Sequence, residues 1–139
     1  MNREMAEIIR NQQPLTLPPD ATVQEACTHM HRRNIGAVLV TVGDGELIGI
    51  FTGRDAVRVL AQGKAAGTTP LKQVMTKDPH HLPPQHTAIH ALRLMRDGGF
   101  RHVPIDESGV VIGVVSRGDF RGLEQDRLDE ETGIWERMR

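Results

Sequence analysis

Two short stretches carry the residues best suited to chemistry, Thr52-Gly53-Arg54-Asp55 and Ser116-Arg117-Gly118-Asp119. Each places a hydroxyl, an arginine and a carboxylate where an apolar run gives way to a new turn or helix. A carboxylate at such a junction can accept hydrogen bonds from a pair of vicinal hydroxyls. The N–H groups that open the following helix favour an anion, and arginines add donors for an oxyanion. Asp55 and Asp119 equally suit helix N-capping, and Thr52 and Ser116 can simply close a strand end. Arg117-Gly118-Asp119 also spells a cell-adhesion tripeptide. Set beside GIFTGRD at 49–55, however, GVVSRGD at 113–119 shares the pattern G-x-x-T/S-x-x-D, so the tripeptide is incidental.

That recurrence belongs to a longer internal repeat. Residues 17–40 align without gaps to 82–105 at an offset of 65, and 45–55 to 109–119 at an offset of 64. Eleven of these thirty-five positions are identical, and residue character matches more widely. In each copy a threonine (Thr22, Thr87) stands at an N-cap position, with Glu25 completing a capping box in the first. Val23, Ala26, Cys27 and Met30, and then Ala88, Ala91, Leu92 and Met95, follow at helical spacing, predicting two amphipathic helices. Gly98-Gly99 ends the second, and Arg33-Asn34 ends the first with Asn34 in the left-handed region. Apolar runs at 37–40 and 46–51, and at 102–105 and 110–115, are separated by Gly- and Asp-rich turns and predict hairpins. A second helix is expected from Asp55 to about Gln62, and another from Asp119 onward.

Each copy thus reads as helix–strand–strand–helix after a short extended lead-in. One copy alone has too little apolar surface for secure stability. The expected architecture is α+β, two copies packed sheet to sheet around one core with pseudo-twofold symmetry. The boundaries read as 8–62 for the first repeat with its lead-in helix, 63–70 for a linker, 71–123 for the second repeat and 124–139 for a charged tail containing Trp135.

The 139 residues are 38% hydrophobic and 25% charged with a formal net charge of -1, which offers no bulk attraction for nucleic acid or anionic lipid. One cysteine, Cys27, cannot make an intramolecular disulfide, and it falls on the apolar stripe of its helix as a core residue. MNREMAEIIRNQQP lacks the apolar stretch of a signal peptide or anchor, and a cytoplasmic location is expected. Seven histidines invite a metal reading. His86 precedes the Thr87 cap, though, and no H-E-x-x-H pattern occurs, so surface positions suit them better.

The doubled order of -P-P-x-x-T-x-x-x-A-x-x-x-M- and I/V-G-I/V-hydrophobic-T/S-x-x-D resembles a tandem pair of CBS domains, the Bateman module. Val74-Met75-Thr76-Lys77-Asp78-Pro79 resembles the lead-in of such a repeat, and the resemblance covers about residues 8–123. It implies a non-catalytic regulatory module that binds an adenosine-containing ligand (AMP, ADP, ATP, NAD or S-adenosylmethionine) in a cleft between the repeats. By that resemblance Asp55 and Asp119 meet ribose hydroxyls, and Thr52 and Ser116 meet ribose or phosphate oxygens. Arg54, Arg117 and Arg101 are the phosphate candidates. Ile35, Ala37 and Val38, or Val103 and Ile105, would flank the adenine, with Gly36, His102 and Pro104 also in the ligand-binding set, and Thr16 stands where the lead-in reaches the ligand.

The two copies differ: His81 replaces Thr16, and Arg101-His102 replaces Gly36-Ala37, so the potential pockets are chemically unequal. The resemblance further implies a homodimer formed through the helices and a regulated partner protein. Nucleic-acid binding through His31-Arg32-Arg33 and residues 93–101 is the competing reading, as is a purely protein-interaction role.

Overall fold

The computed structural model describes residues 3–120 of the chain. The expected helix beyond Asp119, the tail and Trp135 lie outside the described residues. The elements run α1 (Met5–Ile8), β1 (Thr16–Leu17), α2 (Val23–Arg33), β2 (Ala37–Val42), β3 (Glu46–Thr52), α3 (Gly53–Ala61), α4 (Leu71–Val74), β4 (Thr76–Lys77), α5 (Ala88–Gly98), β5 (His102–Glu107) and β6 (Val110–Ser116), ending in a 3₁₀ turn, Arg117–Asp119.

Local chemistry accounts for the boundaries. The Thr22 side chain accepts from the Glu25 N–H at 3.1 Å and opens α2. Asn34 (φ 53°) and Gly99 (φ 71°) close α2 and α5 in the left-handed conformation that short polar side chains and glycine tolerate. The extra residue in the first copy falls in the hairpin turn. Gly43, Asp44 and Gly45 join β2 to β3, whereas Ser108 and Gly109, with φ of 52° and 88°, join β5 to β6 in a two-residue turn. Both hairpins carry the same bulge, between Val40 and Thr41 and between Ile105 and Asp106, so the repeat persists in register as well as in sequence.

The hairpins meet edge to edge. Strand order is β1-β2-β3-β6-β5, with β4 on β3, and the β3–β6 joint is the single pair Glu46↔Val110. Its flanks are closed by Leu47 N–H donating to Gly109 O at 3.0 Å and Val111 N–H to Gly45 O at 2.9 Å. The apolar interior is divided rather than held in one core: one cluster lies under α2, one under α5, and a small third one, around Ala37, Leu39 and Ile50 with Val111 and Val114, sits where the hairpins meet. Two twisted sheets touching along one edge each bury one face under their own helix.

The lead-ins are exchanged. Met5 of α1 and Ile9, which caps it, are buried in the cluster of the second repeat, and Ala6 N–H donates to Pro84 O at 3.0 Å. Leu71, Val74 and Met75 pack on the first repeat, and Leu71 N–H donates to Ala21 O at 2.8 Å. Each packing unit therefore borrows the segment that precedes the other repeat in the sequence.

Candidate functional site

The two T/S-x-x-D segments fold alike. Thr52 is the N-cap of α3, and Asp55, at the third helical position, completes a reciprocal capping box. Asp55 is buried (5% exposed). Its Oδ2 accepts from the Thr52 N–H at 2.9 Å and hydroxyl at 3.1 Å, and its Oδ1 accepts from Arg58 at 3.1 Å. Ser116 and Asp119 repeat the arrangement across one 3₁₀ turn, with Asp119 Oδ2 accepting from the Ser116 N–H at 2.7 Å and hydroxyl at 3.3 Å. Each new turn is tied to the other hairpin strand in the same way: Gly53 N–H donates to Gly36 O at 3.1 Å, and Arg117 N–H to Arg101 O at 2.9 Å. The aspartates are thus not N-caps themselves. They lock the hydroxyl residues that are.

A cleft of about 900 Å³ opens beside the first of these segments. Thr52, Gly53, Arg54, Asp55 and Arg58 form one wall, residues 76–80 a second, and Gly99, Phe100, Arg101 and His102 of the other repeat a third. Gly36 and Ile50 complete it, and a Cβ on Gly36 would come within 3.2 Å of the His102 ring. His80 stacks on Phe100 with ring centroids 5.5 Å apart. Four cations, Arg54, Arg58, Lys77 and Arg101, line the cleft against two carboxylates, Asp55 and Asp78. Arg58 is paired with Asp55, and Arg54 reaches Gly99 O at 3.5 Å. Burial, reinforced by Arg101 and opposed by Asp119, lowers the pKa of His102, which keeps the ring neutral at pH 7.

The sequence matches the CBS domain family over residues 5–62 and 71–125. The chain belongs to the CBS-domain family. Its relatives include CBSCBSPB1 of Arabidopsis thaliana, 39% identical over 108 residues that cover 77% of this chain and 20% of that protein. YhcV of Bacillus subtilis is 37% identical over 77% of this chain and 76% of its own length. The chain thus spans only about a fifth of the first of these relatives. Among solved structures, the CBS pair of protein MJ0100, crystallised with 5′-methylthioadenosine and S-adenosyl-L-methionine, superposes with a TM-score of 0.72 at 25% identity, covering 78% of this chain and 88% of that one. The α+β CBS-pair architecture read from the repeat stands.

Of the CBS-pair residues singled out in the sequence, the structure gathers Gly36, Thr52, Arg54, Asp55, Arg101 and His102 around the cleft. Ser116, Arg117 and Asp119 lie at the equivalent position of the other half, outside it. Val103 is fully buried in the core under α5 and Ala37 in the cluster between hairpins, because alternation along a strand sends neighbours to opposite faces. Pro104 is buried, whereas Thr16 and Ile35 are exposed, and none of the three lines the cleft. His81, the counterpart of Thr16, is held at 2.6 Å by Asp106, which also accepts from the Gly109 N–H at 3.0 Å and so braces the β5–β6 turn.

Sequence reasoning left Arg58, His80 and Phe100 out of the site, and read residues 76–79 only as a repeat lead-in. The lead-in resemblance at residues 74–79 is the signal that points to this segment. It lies against β3, where Gly49↔Lys77 and Ile50↔Thr76 pair.

Proposed function

We propose that this CBS pair is a non-catalytic regulatory module that binds an adenosine-containing ligand in the cleft beside residues 52–55. The observation that carries the reading is the convergence there of a T-x-x-D segment from one repeat with Gly99, Phe100, Arg101 and His102 from the other. A volume near 900 Å³ suits a nucleotide-sized ligand. Among the described residues Asp55 Oδ1 carries only the Arg58 bond, and it retains acceptor capacity for a ribose hydroxyl. The adenosine-type ligands of MJ0100 support the same ligand class. Because the walls come from both repeats, an occupant changes how firmly the repeats are held together, and that is the signal a regulated partner protein would read.

Val57 and Leu60 leave an apolar strip on α3 exposed (66% and 80%), which supports a homodimer formed through this helix. No helix among the described residues is long and apolar enough to cross a membrane, and the cytoplasm is the proposed location.

Thermal unfolding with added AMP, ATP, NAD or S-adenosylmethionine tests the reading. A ligand that binds only the folded chain raises the midpoint with the logarithm of its concentration. No shift with any of them at millimolar concentration sinks it.

A further inference from the structure

Resting on the adenosine reading above, the repeat makes it possible to compare the two pseudo-equivalent halves residue by residue. Around the described cleft, Arg54, Lys77 and Arg101 are exposed and form no ion pair among the described residues. Asp78 is the one cleft carboxylate not already held by an arginine. A ligand bearing several negative charges supplies what this wall lacks. A sulfonium nucleoside, with its extra positive charge, does not.

Among the described residues, the other half lacks counterparts of these cations. Gln12 stands in the place of Lys77, and its side-chain amide is already committed, accepting from Val114 N–H at 2.6 Å and donating to Val114 O at 2.8 Å. That amide fills by side chain the edge position that β4 fills by backbone on β3. Gly118 stands in the place of Arg54, and Leu15 and Ile35 replace the stacked His80 and Phe100. Arg117 replaces Gly53 and already makes a contact of its own.

We infer that the chain binds one phosphate-bearing adenosine ligand, in the cleft beside residues 52–55. Its phosphate chain lies among Arg54, Lys77 and Arg101, and the half around residues 116–119 holds no equivalent ligand. A phosphate there draws Arg101, from the second repeat, toward Arg54 and Lys77, so charge on the ligand fastens the two repeats to each other.

Isothermal titration of the full chain with adenosine, AMP, ATP and S-adenosylmethionine tests this. The expected result is one ATP per chain, with affinity rising at least about tenfold from adenosine to ATP and S-adenosylmethionine weaker than AMP. Lys77→Gln should weaken ATP about tenfold, the size of one charge-assisted contact, and adenosine far less. Arg32→Gln, on α2 away from the cleft, is the matched charge control and should leave the ATP affinity unaltered. Two equal ATP sites per chain, or adenosine or S-adenosylmethionine binding as tightly as ATP, overturns the inference while leaving the adenosine reading in place. Absence of binding by all four defeats both.

Discussion

Replacing Asp55 by alanine removes a carboxylate that serves the fold as well as the cleft. Its Oδ2 holds the Thr52 N–H and hydroxyl at 2.9 and 3.1 Å, and its Oδ1 holds Arg58 at 3.1 Å. Loss of a capping interaction costs about 1 kcal/mol. The hydroxyl bond to a charged group adds a comparable amount, and the half-exposed Arg58 pair adds only a few tenths. The carboxylate is 5% exposed, so water does not take over these roles cheaply. The expected cost of Asp55→Ala is about 2 kcal/mol, a large fraction of the ~5 to 15 kcal/mol that holds a domain folded.

Asp119→Ala breaks the corresponding Ser116 bonds, at 2.7 and 3.3 Å, but on a single 3₁₀ turn, with a partly exposed carboxylate and no arginine pair among the described contacts. Its expected cost is about 1 kcal/mol. Urea unfolding of both variants at equal m-value measures the difference. If Asp55→Ala costs no more than Asp119→Ala, or less than about 0.5 kcal/mol, the assignment of Asp55 as the buried lock of α3 is wrong. Binding measured with Asp55→Ala must accordingly be read at a temperature where the variant is fully folded.

Three further outcomes are expected. A Cβ on Gly113 would lie 2.7 Å from Ile9 Cγ2 and 2.9 Å from Gln12 Oε1, so Gly113→Ala should cost about 1 to 3 kcal/mol in urea unfolding. Gly49→Ala meets only the flexible end of Met75 and should cost less; equal losses would contradict the docking of α1 on the second repeat. His102 has a folded pKa below 6.5, so between that pKa and 6.5 the unfolded chain binds more protons. Stability should therefore fall as pH drops below about 6.5, and His102→Gln should flatten that part of a urea-midpoint profile; an unchanged profile refutes the partly buried neutral ring. Val57→Glu with Leu60→Glu should convert a dimer to a monomer in light scattering without lowering the thermal midpoint; an unaltered mass removes α3 from the interface.

The elements that depend on near neighbours in the chain were legible in the sequence. Thr22, Asn34, Thr87 and Gly99 cap the helices they were expected to cap, and both hairpins fall where turn residues interrupt apolar runs. The T/S-x-x-D spacing was itself a capping-box signature, and it distinguishes the third helical position of Asp55 from the N-cap at Thr52. What the sequence concealed rests on long-range packing. Nothing local says that Met5 belongs with Leu92, or Leu71 with Val23. That exchange is what carries Lys77 and His80 to a cleft whose T-x-x-D segment lies more than twenty residues earlier. Val103 lies in the core and not on the cleft wall for a simpler reason. Its neighbour His102 faces the cleft, and a strand cannot present both to the same side.

The most direct test of the account is an amide-resolved NMR titration of the full chain with ATP. The account predicts saturable shifts centred on Gly53, Arg54, Lys77, Gly99 and Arg101, drawn from both repeats, with much smaller changes at Ser116, Gly118 and Asp119. Absence of shifts at millimolar ATP, or shifts centred on residues 116–119, would contradict it.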